Sequence, residues 1–192
     1  MVREWESAEF GKGSGGVILL ETGIGDDHYR FIATDFIPSW QNKKGWKFDQ
    51  FNPRLTLSGP IVKGKIWFFD GLDGEYDHVI RPELPAGEDQ NTIWRLGNLA
   101  KVQANVSPDD IVTASFLVNR LHDNHYRFSL VAPATTTPAD SENVYVGSIK
   151  EQHSFSSDKL LEFGAAFDQF GFKLVPFGGA PYVLTPEGAQ GN

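Results

Sequence analysis

Long runs of alternating apolar and polar residues constrain this chain more than any other feature of its sequence. Successive side chains of a β-strand point to opposite faces, so the alternation predicts strands with one apolar face and one polar or small face. Regular runs occupy residues 51–62, 66–78, 92–106, 111–121 and 161–168, and residues 27–36 and 143–155 alternate less regularly. Runs of about 10–14 residues exceed the usual strand of about 5–6 residues. They suit a tilted strand crossing a bilayer, which needs about 9–11.

The connections between these runs alternate between long and short. Long polar loops are predicted at residues 37–50, at 79–91 and at the Thr- and Pro-rich segment VAPATTTPAD (131–140), and short turns at 63–65, 107–110 and 156–159. Outer-membrane barrels have short turns on the periplasmic side and longer loops outside, whereas both ends of a soluble barrel face water. The sequence therefore predicts an all-β, antiparallel up-and-down transmembrane β-barrel, present in part, with about seven strands.

Aromatic residues lie near the ends of the predicted strands. They are Trp40 and Trp46 in the first loop, Trp67, Phe68 and Phe69 after a tight turn, and Trp94 after a long loop. Membrane barrels carry girdles of aromatic side chains at both interfaces, where a ring is half wet. Ordinary core aromatics are the alternative for any single ring, and the set as a whole favours girdles.

The composition excludes several classes of protein. Lys and Arg total 17 against 25 Asp and Glu, a net charge of −8, which argues against a nucleic-acid partner. The chain has no cysteine, so it has neither a disulfide framework nor a thiolate metal site. No stretch approaches the ~20 apolar residues of a transmembrane helix, and residues 1–10 lack the apolar region of a secretory signal.

A glycine-rich stretch near the start, Gly11-Lys12-Gly13-Ser14-Gly15-Gly16, raises the question of a phosphate-binding loop. The P-loop spacing G-x-x-x-x-G-K-[ST] is absent, because the lysine comes too early. The apolar run at residues 17–20 that follows resembles a strand, whereas phosphate cradles are followed by a helix N-terminus. We interpret Gly11, Gly13, Gly15 and Gly16 as residues that allow close backbone packing.

Two further groups of residues are candidates for a metal site or a catalytic site. His122, Asp123 and His125 could ligate a metal at a loop rim, but their spacing at a strand end matches no recognised site. The acids Asp70, Asp73, Glu75 and Asp77 invite comparison with the carboxylate pair of a glycosidase. A polar lumen wall explains them more simply, since the last three share one face of a strand. No catalytic residue, cofactor or metal is predicted.

Two segments carry a resemblance to a known family. EFGKGSGGVILLETG (Glu9–Gly23) resembles the end of the plug domain of TonB-dependent outer-membrane receptors. LSGPIVKGKIWFFDGLDGEYD (Leu57–Asp77) resembles the second barrel hairpin of the Oar-like branch of that family. Ser58 stands where that branch usually has glycine, and Glu21-Thr22-Gly23 lacks the usual lysine. The other strands agree with the family in pattern only.

The resemblance implies a plug inside a barrel of about 22 strands. We therefore expect a fragment, with the C-terminal end of the plug at residues 1–24, the four glycines at the plug–barrel junction, and the N-terminal part of the barrel at residues 25–192. Expected partners are outer-membrane lipid, the TonB complex of the inner membrane, and an unidentified small ligand such as a siderophore, cobalamin or an oligosaccharide. The expected location is the outer membrane of a Gram-negative cell. Alternation alone gives the lumen-facing candidates Arg54, Arg95, Lys101, Asn119, Glu162 and Asp168.

Two alternatives remain at this point. A secreted soluble β-sandwich that binds carbohydrate through exposed Trp and Tyr would have short strands and polar outer faces. A receptor-like barrel with a structural or adhesive role would share every feature of the transporter.

Overall fold

The computed structural model describes residues 23–191. The plug strand at residues 17–20 and the junction glycines Gly11, Gly13, Gly15 and Gly16 lie outside the described residues. Both therefore stay predictions.

The described residues form an all-β structure. Its strands are β1 (Arg30–Thr34), β2 (Ser39–Gln41), β3 (Lys47–Phe51), β4 (Arg54–Val62), β5 (Ile66–Ile80), β6 (Gln90–Asn105), β7 (Asp110–Asp123), β8 (Ala139–Ser156), β9 (Lys159–Val175), β10 (Val183–Thr185) and β11 (Gly188–Gln190). One antiparallel sheet follows the order β1-β4-β5-β6-β7-β8-β9, with the short hairpin β2–β3 attached to β5. Each of these seven strands pairs with the next one in this order, which confirms the predicted antiparallel up-and-down arrangement. The sheet is open, and β1 and β9 form its edges.

The two ends of the sheet differ as the sequence predicts. Residues 63–65, 106–109 and 157–158 join successive strands at one end, which we call the turn end. Segments 35–53, 81–89 and 124–138 join them at the other, the loop end. The first of these segments was predicted as a plain loop, and the structure adds β2 and β3 within it. A single turn of 3-10 helix at Ala134–Thr136 lies in the third segment.

The register assigns every strand residue to one of two faces. The apolar face carries most of the large aliphatic and aromatic side chains, among them Leu57, Phe68, Leu72, Leu96, Val102, Phe116, Val118, Ile149, Phe163 and Phe167. The other, which we call the charged face, mixes apolar residues with most of the charged ones. Trp67 and Phe69 belong to the charged face, so only Phe68 of that predicted aromatic group joins the apolar face.

Few side chains are buried, and their location is uneven. Apart from Pro60, the buried side chains of residues 23–191 all lie at the loop end. They are Gln41, Ile80, Asp89, Asn91, Asp123, Ala132, Ala134, Thr137, Asp140 and Ala189. The long strands themselves form a single layer, and the described residues place no second sheet against either face. The short-stranded sandwich considered above has a different arrangement, with two sheets packed on each other.

The segment that leads into β1 is fixed to the turn end by side-chain contacts. Asp27 Oδ1 accepts hydrogen bonds from the Gly64 backbone N–H, at 2.8 Å, and from Trp67 Nε1, at 2.7 Å. These donors hold the pKa of Asp27 below its usual value. The Tyr29 hydroxyl donates to the Pro60 carbonyl at 2.9 Å. Gly25 lies so close to the backbone of β4 and β5 that a Cβ atom there would be 2.3 Å from the Phe68 carbonyl oxygen.

Across residues 23–191, no helix combines the length and the apolar character that crossing a membrane requires.

Candidate functional site: a charged sheet face and a loop-end cavity

Two of the predicted lumen residues meet in a row of alternating charge across β4, β5 and β6. Arg54 Nε donates to Asp73 Oδ2 at 3.1 Å, and Arg95 Nη2 lies 3.6 Å from Asp73 Oδ1 and 2.7 Å from Glu75 Oε2. Arg54 also lies 4.0 Å from Asp35, in the first long loop. The groups are partly exposed, and ion pairs of this kind contribute about 0–1 kcal/mol each. The row therefore contributes more to the polarity of this surface than to the stability of the sheet.

The other four predicted lumen residues lie on the same charged face but not in that row. Register places Lys101 opposite Ser115, Asn119 opposite Gly97 and Val144, and Asp168 opposite Val146. Glu162 accepts hydrogen bonds from Lys150 Nζ, at 3.3 Å, and from Gln152 Nε2. All six residues thus share one face, as alternation predicts, and their facing a lumen stays a prediction.

The acids of β5 divide between the two faces. Asp73, Glu75 and Asp77 lie on the charged face, and Asp70 lies on the apolar face. Because arginines pair with Asp73 and Glu75, these carboxylates form part of a charge-balanced wall. Asp70 accepts hydrogen bonds from Asn98 Nδ2 to both of its carboxylate oxygens, at 3.2 and 3.1 Å.

The histidines considered as metal ligands do not converge. His122 Nδ1 lies 2.8 Å from Ser141 Oγ, while Asp123 points to the opposite face of β7 and accepts a hydrogen bond from the His125 backbone N–H. The His125 ring packs against Phe177, with ring centroids 5.3 Å apart. Within the part of the chain that the structure describes, no group of three or more His, Asp or Glu side chains could hold a metal ion.

At the loop end, Asp89 joins two of the long connections. Lys44 Nζ lies 2.6 Å from Asp89 Oδ2 and 3.1 Å from the Leu84 carbonyl oxygen. The Gly87 backbone N–H donates to Asp89 Oδ1 at 3.1 Å, and Gln90 Nε2 donates to the same oxygen at 3.3 Å. The Lys44 hydrogen bond, with help from the other donors, lowers the pKa of Asp89 to about 2.

Backbone hydrogen bonds join segment 124–138 and the β10–β11 hairpin to the contacts around Asp89. The Ala134 N–H donates to the Glu88 carbonyl at 3.1 Å, and the Ala189 N–H donates to the Val131 carbonyl at 2.7 Å. Asn91 Nδ2 donates to Asp123 Oδ1 at 2.8 Å, which ties the start of β6 to the end of β7. The long connections therefore form a packed layer over the loop end of the sheet.

A cavity of about 680 Å³ lies between segment 124–138 and the chain that follows β9. We call it the loop-end cavity. Its walls include the rings of Tyr126 and Tyr182, the side chains of Leu174, Pro138 and Pro181, and the guanidinium-bearing side chain of Arg127. Tyr126 packs edge-to-face against Phe172, which lies on the charged face of β9. The cavity therefore opens on the charged side of the sheet.

Sequence reasoning did not single out the residues of this cavity. The sequence predicts a long polar loop at residues 131–140, within segment 124–138, and carries no prediction for the stretch VPFGGAPYV (175–183). The signal that was present is compositional: proline and aromatic residues occur in both stretches, whereas a solvated loop is usually polar. Only the fold shows that the two stretches face each other.

Compared with protein-family models, with curated proteins and with solved structures, the chain matches none.

Proposed function

We propose that this chain forms part of the wall of an outer-membrane β-barrel that imports a small ligand, as TonB-dependent receptors do. The observation that carries the proposal is the pair of unlike faces on one long-stranded sheet. Aromatic and aliphatic side chains of the apolar face are exposed, for example Phe163 at 69% and Phe167 at 56%. A single-layer sheet leaves such a face to water unless lipid or another protein surface covers it, and the energetic cost of exposure scales with apolar area.

The height of the apolar band supports lipid as the covering medium. From Ile66 to Tyr76, both on the apolar face, the strand rises roughly 33 Å at about 3.3 Å per residue. A tilt of about 40° reduces this to roughly 25 Å, the height of the apolar band of outer-membrane barrels. Tyr76 lies opposite Trp94 at the loop-side border, and two adjacent rings at that level fit an aromatic girdle.

Several polar side chains lie inside this band, among them the pair Asp70–Asn98 and Arg120, whose Nη2 donates to the Tyr145 hydroxyl at 3.1 Å. Asp70 and Asn98 occupy adjacent strands of the apolar face, and the amide of Asn98 satisfies both carboxylate oxygens and the Gly71 carbonyl, which lies 3.3 Å away. Polar groups in hydrocarbon are costly unless they have partners. The mutual hydrogen bonds reduce that cost, so the pair is compatible with a lipid-facing surface.

The proposal assigns a direction to the sheet. The turn end faces the periplasm, and the layered long connections face outward, where a ligand arrives. The charged face, with Arg54, Arg95, Lys101, Asn119, Glu162 and Asp168, lines the lumen. The inner-membrane TonB complex acts on the plug upstream of β1. Import of a siderophore, cobalamin or an oligosaccharide remains within this proposal.

A matched pair of variants on β7 tests the membrane orientation. Phe116→Arg places a cation on the apolar face near mid-strand, and Asn119→Arg places one on the charged face three residues away. We expect Phe116→Arg to reduce the free energy of unfolding in phospholipid vesicles by about 2–4 kcal/mol and Asn119→Arg to change it little. Guanidinium titrations in large unilamellar vesicles measure both. Equal losses, or a larger loss for Asn119→Arg, would overturn the proposed orientation.

A further inference from the structure

We infer that the loop-end cavity binds a small organic anion whose body is apolar and carries a ring. The inference names the class of ligand that the proposed importer would take. Transport of that ligand rests on the proposed function, whereas its binding in the cavity does not. A cavity of about 680 Å³ falls within the range of roughly 300–1,000 Å³ that small-molecule sites occupy.

The charge of the ligand follows from Arg127. Among residues 23–191, no carboxylate lies within ion-pairing distance of its guanidinium, which is held 5.3 Å from the centroid of the Tyr126 ring. The backbone at Arg127 has a φ of 64°, a left-handed conformation that bulky residues rarely adopt. Strain of this kind clusters at functional sites, and a glycine at this position would relieve it. The left-handed conformation of Arg127 therefore points to a role for its side chain.

The residues that line the loop-end cavity indicate a ligand with a ring and an apolar body. Tyr126 and Tyr182 present ring surfaces, and Leu174, Pro138 and Pro181 add rigid apolar contacts. The lining contains no Asp, Glu, Asn or Gln side chain. The polar side chains of the lining are those of Tyr126, Tyr182, Thr136, Thr137 and Arg127, and both threonine hydroxyls already donate to backbone carbonyls. A sugar would therefore find fewer partners than its hydroxyl groups need, and a cation would find no counter-charge. The chemistry of the cavity therefore favours a flat apolar anion over both.

Gly179 offers a way to fill the cavity without disturbing the fold. It lines the cavity, its backbone is outside the left-handed region, and a Cβ atom added there meets no atom within 4 Å. Gly171→Leu is a matched control. Gly171 does not line the cavity, lies on the apolar face of β9, and an added Cβ there has only the Asn143 carbonyl oxygen nearby, at 3.9 Å.

The experiment compares three probes that share one ring system and differ in charge. They are 2-naphthoate, the neutral 2-naphthylmethanol and the cation 2-naphthylmethylammonium, titrated calorimetrically into the 192-residue chain in lipid nanodiscs, with empty nanodiscs as the reference. We expect 2-naphthoate to bind at least about tenfold more tightly than the other two. Arg127→Gln should remove that preference, Gly179→Leu should abolish binding of all three, and Gly171→Leu should leave binding unchanged.

Three results would overturn the inference: no saturable binding of 2-naphthoate at millimolar concentration, binding that Gly179→Leu leaves intact, or a preference for the cation. The vesicle titrations of Phe116→Arg and Asn119→Arg do not involve the cavity. A chain that passes them and binds no probe refutes the cavity assignment alone, and a chain that binds the probes but fails them refutes the membrane orientation alone.

Discussion

Asp89 shows how a single ionised residue can hold a loop assembly together. Its side chain is almost fully buried, yet it accepts hydrogen bonds from Lys44, Gly87 and Gln90. Burial of a carboxylate is unfavourable unless donors replace water, and here they do so from two separate connections. Loss of the charge would leave Lys44 without its counter-ion at the point where segments 35–53 and 81–89 meet.

The stability of the loop-end layer is therefore predicted to fall at low pH. The folded pKa of Asp89, about 2, is below the ordinary aspartate value of about 3.9. A depressed folded pKa contributes stability above the unfolded value, and that contribution is lost as the pH falls from about 4 to about 2. A carbon-13 NMR titration of the Asp89 carboxyl group should give a midpoint near pH 2.

Lys44→Met should raise that midpoint towards 4, because the main cause of the lowered pKa is removed. The neighbouring Lys43→Met is the control and should leave the midpoint where it is. A midpoint near 4 in the unmodified chain would contradict the role assigned to Lys44.

Residue-level chemistry was predictable only where it depends on alternation. Arg54, Arg95 and Glu162 fall on one face because strand geometry has a period of two, which a single sequence displays. Asp89 and Arg127 carried no such signal. Their importance comes from contacts between stretches far apart in the chain, and local sequence does not encode which loops meet.

Among the elements, the β4–β5 hairpin depends on one backbone conformation. Gly64 has a φ of 71° in the turn that joins the two strands, and its N–H donates to Asp27. A residue with a Cβ atom is disfavoured there, by about 1–2 kcal/mol. Gly97, in the middle of β6, has no such requirement, and an added Cβ would meet no atom closer than 3.9 Å.

We accordingly predict that Gly64→Ala lowers the free energy of unfolding by about 1–2 kcal/mol. Gly97→Ala should be neutral or slightly stabilising, because alanine restricts the unfolded chain. Urea titrations of both variants in the same vesicles measure the difference. If the two substitutions had the same effect, the turn conformation would not be what limits stability.

The long strands were predictable as elements, and the short ones were not. Period-two alternation over a long run is a strong local signal, so β4 to β7 and the three tight turns agree closely with the sequence prediction. The prediction was less accurate for the next two strands, because β8 begins at Ala139, within the predicted loop 131–140, and β9 continues to Val175, beyond the predicted alternation at 161–168. The strands β2, β3, β10 and β11 have three to five residues each, too few for a pattern to stand out. Their pairing depends on contacts with the folded sheet and its long connections, which a local pattern does not display.

At the scale of the whole molecule, the described sheet has nothing to shield its apolar face. It also has two edges, β1 and β9, whose backbone groups on the outer side pair with no described strand. Unpaired edges and exposed apolar surface both promote association. The chain is thus predicted to self-associate in water. A bilayer or a micelle that covers the apolar face should reduce this association, while the two unpaired edges still allow strands of different copies to pair.

Sedimentation velocity of refolded protein, with and without a mild detergent, measures this directly. We expect large, polydisperse, concentration-dependent species without detergent and smaller, more uniform species with it, both with a β-rich far-ultraviolet circular dichroism spectrum. A stable monomer in detergent-free buffer would require a second surface to cover the apolar face, and it would contradict the single-layer sheet.

The attachment of residues 25–29 to the turn end also has a mechanical consequence. The chain enters β1 from that end, and β1 pairs with β4 from Arg30↔Ser58 to Thr34↔Arg54. A pull on the chain from the turn side would act parallel to the strands, so every bond of the ladder would share the load at once and none would be peeled open in turn. Asp27 and Tyr29 would take up the force first. Tension generated upstream would therefore be spread over this anchor and the β1–β4 ladder, and β1 would resist being peeled from the sheet.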